Sequence, residues 1–598
     1  VTRGYRLVAR LLTAGGRVWR MSVASRLLAR RLRLPPATHR VRVDRDVPIP
    51  GADGHILLAD RYYPLPRLSP ARDTAAPTAA AVGPRSPHPV LLVRSPYGRR
   101  GIFGLLHGRL FAERGYQVVV QSCRGTFGSE GTFEPYVHEK ADGLGALAWI
   151  RRQPWCGDVV ATIGGSYLGY TQWAVAGEME ARLAAVVPTN TTPHFALSAY
   201  DGGSFALANA LEWTRLVTTL HGRGGLARHL ADASRGGPRA LRRGFATLPL
   251  ADADAVATGR RVGFFQDWLT HAPPDEYWTR LDHRPTLPDV TAPVLMVTGW
   301  YDHFLPWQLE SHQVLRAAGN PPRLVVGPWT HLAGSAVGTT TRETLTFLDA
   351  HTRGIAAAPP AHVRAFVTGV GGGWREFPDW PPPGTVPTAL HLHPGGLLAT
   401  TVPPAGTVPP AGAAADVIRY DPADPTPSVG GPHLGRAAGV TDNRILEARP
   451  DVLTYTGPPL PDAVEIAGTV TASIPISSDR TTFDVFVRLC DVYPSGASMN
   501  VCDRLIRLAP EPDTPAGTVR AARLELWPAA HRFAPGHRIR VQVSCGAHPR
   551  YARNLGGAEP LVSGTTMHVA TQTLQHDPER PGTIVLPVLS ARSADVVG

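Results

Sequence analysis

The chain has 598 residues, 43% of them hydrophobic, and a formal net charge of +12. That length exceeds what one hydrophobic core serves, so several domains are expected, while no run in the sequence approaches the roughly 20 uninterrupted apolar residues of a membrane span. The five cysteines, Cys123, Cys156, Cys490, Cys502 and Cys545, show neither metal-ligand spacing nor a disulfide framework, so nothing demands an oxidising compartment and a cytoplasmic location is expected.

The positive charge is concentrated at the start. Arg3, Arg6, Arg10, Arg17, Arg20, Arg26, Arg30, Arg31 and Arg33 all precede the first acid, Asp44. The rest of the chain is nearly neutral, which argues against a nucleic-acid partner. Residues 1–40 also carry Leu7, Leu11, Leu12, Trp19, Leu27 and Leu28 and read as a basic amphipathic extension. Two readings stay open for it: peripheral contact with an anionic membrane, or a helix packed on the domain that follows. It lacks the apolar core and small-residue cleavage site of a secretory signal.

Residues 41–191 read as the first part of an α/β domain. Val41-Arg42-Val43 and Ile56-Leu57-Leu58-Ala59 flank a turn at Pro50 to Gly54, residues 66–89 are a Pro-, Ala- and Arg-rich loop, and Val90–Val93, Val118–Gln121, Val159–Ile163 and Ala185–Val187 are short apolar runs suited to a buried parallel sheet. The third of these runs leads into Gly164-Gly165-Ser166-Tyr167-Leu168-Gly169, with a helix-compatible stretch after it. Strand, tight glycine turn with a central serine, then helix is the nucleophile elbow of an α/β-hydrolase. Leu168 stands where the usual pattern has its last glycine. The backbone N–H of Tyr167, at the helix start, faces the place where an oxyanion would form.

Residues 192–289 lose the strand signal. Phe205–Leu220 and Pro238–Phe245 are helical in pattern, which makes this insertion a helical cap over the site. The α/β domain resumes over 290–358. Val294–Val297 ends in Thr298-Gly299-Trp300-Tyr301-Asp302, and Leu324–Val326 ends in Gly327-Pro328-Trp329-Thr330-His331. An acid and then a histidine, each just past an apolar run and both after the serine, follow the chain order of a hydrolase triad. Ser166, Asp302 and His331 are therefore the candidate nucleophile, orienting acid and general base. Trp300, Phe304 and Trp329, with Trp307, are expected to line an apolar or aromatic substrate pocket. From 359 to 598 short alternating strands are separated by Pro and Gly turns, with a Pro/Gly/Ala-rich loop over 394–414, and read as a β-sandwich.

Several of these stretches together resemble the family of cocaine-esterase-like hydrolases and X-Pro dipeptidyl peptidases, the CocE/NonD type. The resemblance rests on Arg94-Ser95-Pro96-Tyr97, Arg124-Gly125-Thr126-Phe127-Gly128-Ser129-Glu130-Gly131, Asp142-Gly143, Gln153-Pro154-Trp155-Cys156, the elbow, Gly327-Pro328-Trp329-Thr330-His331, Asp491-Val492-Tyr493-Pro494 and Phe533-Ala534-Pro535-Gly536-His537-Arg538. It runs from about Val41 to the end. It implies an α/β-hydrolase domain with an inserted cap and a C-terminal jelly-roll sandwich, and the same triad. It also implies one residue that spacing does not reveal: Tyr97, whose phenol would donate to the oxyanion beside the Tyr167 N–H.

The function expected is that of a serine hydrolase cleaving carboxylic esters, or amides, of small molecules through an acyl-enzyme. X-Pro dipeptidyl peptidase and acylase activity are the alternatives within the family. The family's amine-recognising members need acidic groups. Here Asp302 is followed by His303, Phe304 and Leu305, none of them acidic, which leaves Asp201 and Glu212 in the cap as candidates. A rival from another class, a non-catalytic surface-binding protein, predicts a broken triad. No H-E-x-x-H or similar cluster is present, so neither metal nor cofactor is expected.

Overall fold

The computed structural model describes residues 19–65, 88–222, 225, 229, 232, 236–355, 362–403, 416–435 and 437–590. The loops expected over 66–89 and 394–414 fall largely outside these residues, although Leu397–Ala399 in the second forms a short strand. Of the basic extension, a helix over Trp19–Arg31 (α1) is described. It is packed on the domain that follows: Ser25 Oγ donates to Glu113 at 2.6 Å, Ala29 is buried, and Arg342 donates to the Leu32 carbonyl at 2.5 Å. Its arginines Arg26, Arg30 and Arg31 stay exposed.

The apolar runs become the strands of one sheet. β1 (Arg40–Pro50) and β2 (Ile56–Leu65) are antiparallel. β2 pairs antiparallel with β4 (Gln117–Ser122), and β4 parallel with β3 (Val90–Ser95). From β3 the sheet runs in parallel through β5 (Val160–Gly165) and β6 (Ala185–Thr189). All residues of β3 and β4 are buried, as expected for strands covered on both faces. Helices α2 (Glu139–Arg151) and α3 (Tyr167–Ala176) follow β4 and β5. Every residue of α3 is buried; it is mostly apolar, and its Thr171 and Gln172 are satisfied by internal hydrogen bonds.

The insertion after β6 opens with a small hairpin, β7 (Tyr200–Asp201) and β8 (Ser204–Phe205). It continues with helices α4 (Leu207–His221), α5 (Gly237–Ala246) and α6 (Gly263–Thr270). Leu207, Leu211, Thr214 and Val217 recur along the buried face of α4 at helical spacing. The sheet resumes with β9 (Leu295–Tyr301), which pairs parallel with β6 and with β10 (Arg323–Thr330).

The sequence-based division at 358/359 falls before the sheet ends. β11 (Val363–Gly369), assigned to the sandwich on sequence, pairs parallel with β10, and β12 (Gly373–Phe377) folds back on it. The far end of β11 then bonds into the second sheet system, Thr368 opposite His531. Alternation of polar and apolar residues in β11 resembles the sandwich strands, but its Val363, Ala365 and Val367 pack into the hydrolase-side core.

Beyond β12 the described residues are mainly β, with one short α-helix at Arg444–Glu447. The strand Phe483–Val492 pairs antiparallel with Ser498–Leu508 and Arg538–Ser544, and Thr471–Ser478 with Arg520–Glu525. Val485, Val487, Leu489, Val541 and Leu524 fill the core between them. Phe483–Val492 is buried at every residue, one face in that core and the other toward Leu505 and Tyr551. The cap hairpin lies against this second face. Gly202 sits at φ +58°, and a Cβ there would meet the Leu505 carbonyl at 1.9 Å, so the close approach requires glycine.

Candidate active site

The elbow forms with a glycine displaced from its usual place. Ser166 has φ 60° and ψ −128°, a conformation costing on the order of 1–3 kcal/mol. Three glycines make room for it. A Cβ on Gly164, at φ +141°, would lie 2.6 Å from the Cβ of Leu168, one on Gly165 would lie 2.7 Å from Thr189 Oγ1, and one on Gly169 would lie 2.6 Å from the Cβ of Thr191. The side chain at 168 is thus accommodated by the bare Gly164 facing it, and the close approach of helix to neighbouring strand is taken over by Gly169.

β5, β9 and β10 carry Ser166, Asp302 and His331 to one edge of the sheet. His331 Nε2 is 3.0 Å from Ser166 Oγ, and His331 Nδ1 is 2.7 Å from Asp302 Oδ2. Asp302 is fully buried, and its other oxygen accepts the Phe304 backbone N–H at 2.7 Å. Serine, imidazole and carboxylate therefore stand in one hydrogen-bonded line, able to move a proton from the hydroxyl to the ring and to hold the ring's second N–H.

Tyr97 follows β3 and reaches the same place. Its hydroxyl lies beside Ser166, and burial pushes its pKa up to about 12. The phenol stays protonated as a donor. Trp213 of α4 donates its indole N–H to the Tyr97 oxygen at 2.9 Å, which leaves the phenolic proton to point toward Ser166. Nothing in the sequence signals Trp213, which lies 116 residues from its partner. Tyr167 presents its N–H at the first position of α3, where no intrahelical partner exists. Its side chain is tied down from below. The phenol donates to Glu139 at 2.7 Å and accepts the Tyr136 N–H at 2.8 Å, and Glu139 is paired at 2.8 Å with the buried Arg94.

The site opens into a small cavity lined by Ser166, His331, Phe304, His303 and Tyr136, by Phe195, Trp213 and Trp268 from the cap, and by Leu434. Leu434 comes from the segment after β12, and its N–H is held by Asn209 of α4 at 2.9 Å. Of the pocket residues expected from sequence, Phe304 lines the cavity. Trp300 and Trp329 do not. Trp300 points to the opposite face of β9 with Met296, donates to the Phe366 carbonyl at 2.7 Å and packs on Trp380. Trp329 covers Gly299 and Gly327 and packs on Trp374. Trp307 packs on Trp527. All three are core residues: the strand ends that deliver Asp302 and His331 turn Trp300 and Trp329 inward, and Trp307 is buried on the helix Leu305–Ala317 that follows Asp302.

The two cap acids differ. Asp201 is buried and committed, accepting from Tyr551 at 2.5 Å and pairing with Arg504 at 3.0 Å. Glu212 packs on Gly435, beside the cavity wall Leu434, and burial pushes its carboxyl up to about 7. Among the described residues the one set of three metal-type ligands within mutual reach is Asp302, His303 and His331, and two of these are already bonded to each other.

The X-Pro dipeptidyl-peptidase (S15 family) pattern matches residues 76–333, and that of the X-Pro dipeptidyl-peptidase C-terminal non-catalytic domain matches 355–585. A cocaine esterase from Rhodococcus sp. (strain MB1 Bresler) is 32% identical over 599 residues, covering 92% of this chain and 98% of the relative. The chain belongs to the X-Pro dipeptidyl-peptidase (S15) family. It is a serine hydrolase of that family, with the α/β-hydrolase fold and a β-rich C-terminal domain. Among solved structures, an α-amino acid ester hydrolase matches with a TM-score of 0.75 at 24% identity, over 93% of this chain and 97% of that one. A CocE/NonD family hydrolase from Staphylococcus aureus matches with a TM-score of 0.66 at 15% identity, over 92% and 94%. The S15 pattern ends two residues past His331, so it spans all three residues of the hydrogen-bonded line.

Proposed function

We propose that this S15-family hydrolase cleaves carboxylic esters through an acyl-enzyme on Ser166. The observation that carries the reading is the Ser166–His331–Asp302 line, with contacts of 3.0 and 2.7 Å, opening into a cavity walled by aromatic rings. Ser166 Oγ attacks the ester carbonyl carbon as its proton passes to His331 Nε2. Asp302 holds the resulting imidazolium. The oxyanion receives the Tyr97 O–H and the Tyr167 N–H, donors that cost no reorganisation as charge develops. Collapse expels the alcohol, which takes the proton from His331. Water then attacks the acyl-serine with His331 again as base, releasing the acid and restoring Ser166. The likeness to a cocaine esterase, the absence of acids after Asp302 and the commitment of Asp201 to Tyr551 and Arg504 favour esters over peptides with a free amine.

One observation supports a second reading as X-Pro dipeptidyl peptidase: the Glu212 carboxyl beside Leu434, where an ammonium would lower its raised pKa. A paired panel separates the two. Wild type and Ser166→Ala are compared on short-chain p-nitrophenyl esters and on X-Pro-p-nitroanilides. Ester turnover that disappears in the variant is the expected result. Preferential X-Pro turnover, reduced by Glu212→Gln, supports the peptidase, and turnover unchanged in Ser166→Ala overturns both.

A further inference from the structure

His303 follows Asp302 directly and is used by no step above. It is 6% exposed and lines the same cavity as Ser166 and His331. Its ring centroid lies 4.3 Å from that of His331 and 4.1 Å from that of Phe304. Its Nδ1 is buried without a hydrogen-bond partner among the described residues. Polar groups sealed in this way forfeit their hydration with no return, so each needs a reason. A phenylalanine or leucine would fill the same space beside Phe304 without that loss. Since His303 also lines the cavity, its polarity is available to something that enters there.

The charge of the ring narrows what that is. Burial, with His331, His433 and Arg550 as further causes, holds the His303 pKa well below its ordinary value, which favours the neutral imidazole. A neutral ring suits this place, because an imidazolium in contact with His331 would oppose the proton that His331 must accept. It offers one N–H donor and one nitrogen acceptor, and the positive charge of Arg550 nearby disfavours a cationic partner.

Resting on the ester reading, we propose that His303 is a specificity-determining residue that hydrogen-bonds an uncharged oxygen substituent of the substrate, a hydroxyl or carbonyl carried close to the scissile bond. The preferred substrates are then oxygenated esters. The substituent sits on the acyl chain or on the alcohol being expelled, and the test has an arm for each.

kcat/KM is measured for two substrate pairs, p-nitrophenyl 3-hydroxybutyrate against p-nitrophenyl butyrate, and ethylene glycol monobutyrate against propyl butyrate. Wild type, His303→Phe and His303→Gln are compared. Wild type should favour the oxygenated member of one pair by about 10-fold or more, the worth of one buried hydrogen bond. His303→Phe should bring that ratio to about one, and His303→Gln, which keeps a donor and an acceptor, should retain part of it. Which pair responds identifies the side of the scissile bond. A wild-type ratio near one in both pairs, or a preference that survives in His303→Phe, overturns the proposal while plain esters are still hydrolysed. Should His303→Phe fail to fold, His303→Leu reads the same ratio. No turnover of any of the four esters by wild type removes the ester reading itself, and this proposal with it.

Discussion

Trp213 donates to the oxygen of Tyr97, and that single contact decides where the phenolic proton goes. Without it the hydroxyl would be free to turn, and its donation to a developing oxyanion would be less well prepared. Tyr97→Phe, which removes the donor, should lower kcat by about 100-fold or more. Trp213→Phe should lower kcat by about 5- to 10-fold, the worth of one orienting hydrogen bond. In the Tyr97→Phe background the second substitution should add little to the kcat loss. Steady-state kinetics on one ester in the four proteins checks this, and full additivity would show that Trp213 acts elsewhere. Ser166, Asp302 and His331 were legible because each ends an apolar run in the order a hydrolase requires. Tyr97 came only through family resemblance, and Trp213 not at all, since a contact across 116 residues leaves no local pattern. Trp300 and Trp329 misled because adjacency to a site residue along a strand end says nothing about which face a side chain takes.

A second prediction at this scale concerns Glu212. Its folded-state pKa of about 7 lies above the ordinary 4.5, so the folded protein holds this proton more tightly than the unfolded chain. The favourable contribution is complete below about pH 4.5 and is lost as pH rises through about 7. Glu212→Gln removes the ionisable group. The variant should gain stability relative to the parent as pH rises across that window, by up to about 3 kcal/mol at the top of it. Tm of both proteins from pH 4.5 to 8 measures the difference, and a constant offset would contradict it.

Among the elements, the strand–elbow–helix unit shows how a pattern can be broken and still work. Leu168 is 2% exposed and faces the bare Gly164, while Gly169 supplies the close approach to Thr191. Restoring the usual glycine by Leu168→Gly should therefore destabilise the protein. It removes a buried leucine and puts a second glycine-like hinge in the first turn of α3, a loss of about 3–5 kcal/mol. Gly169→Val should be worse still, since its Cβ would start 2.6 Å from that of Thr191. Urea denaturation of the three proteins tests the ranking. The parallel strands, α3 and the cap helix α4 were legible from apolar runs and helical spacing. The end of the hydrolase sheet was not, because β11 is apolar on one face only and its assignment depends on β10, a partner made available by folding.

At the scale of the whole molecule, the C-terminal portion takes part in the site. Leu434 walls the cavity, Asp201 of the cap is held by Tyr551 and Arg504, and β11 belongs to both sheet systems. A chain ended at residue 358 would leave the edge of β10 unpaired and the apolar side of the cap uncovered. It should be insoluble or aggregated on size-exclusion chromatography, and a monomeric, active fragment would contradict this account of the fold. The sandwich itself was legible as short strands between Pro and Gly turns, whereas its role as a cavity wall depends on a contact, Leu434 with Asn209, that arises only when the two portions meet.

The central claim is that Ser166 is an activated nucleophile. Its most direct test is labelling by a fluorophosphonate followed by peptide mass spectrometry. Stoichiometric modification of Ser166, slowed severely in His331→Gln and absent in Ser166→Ala, is the predicted result. No modification of Ser166, or labelling of another residue at the same rate in all three proteins, would contradict it.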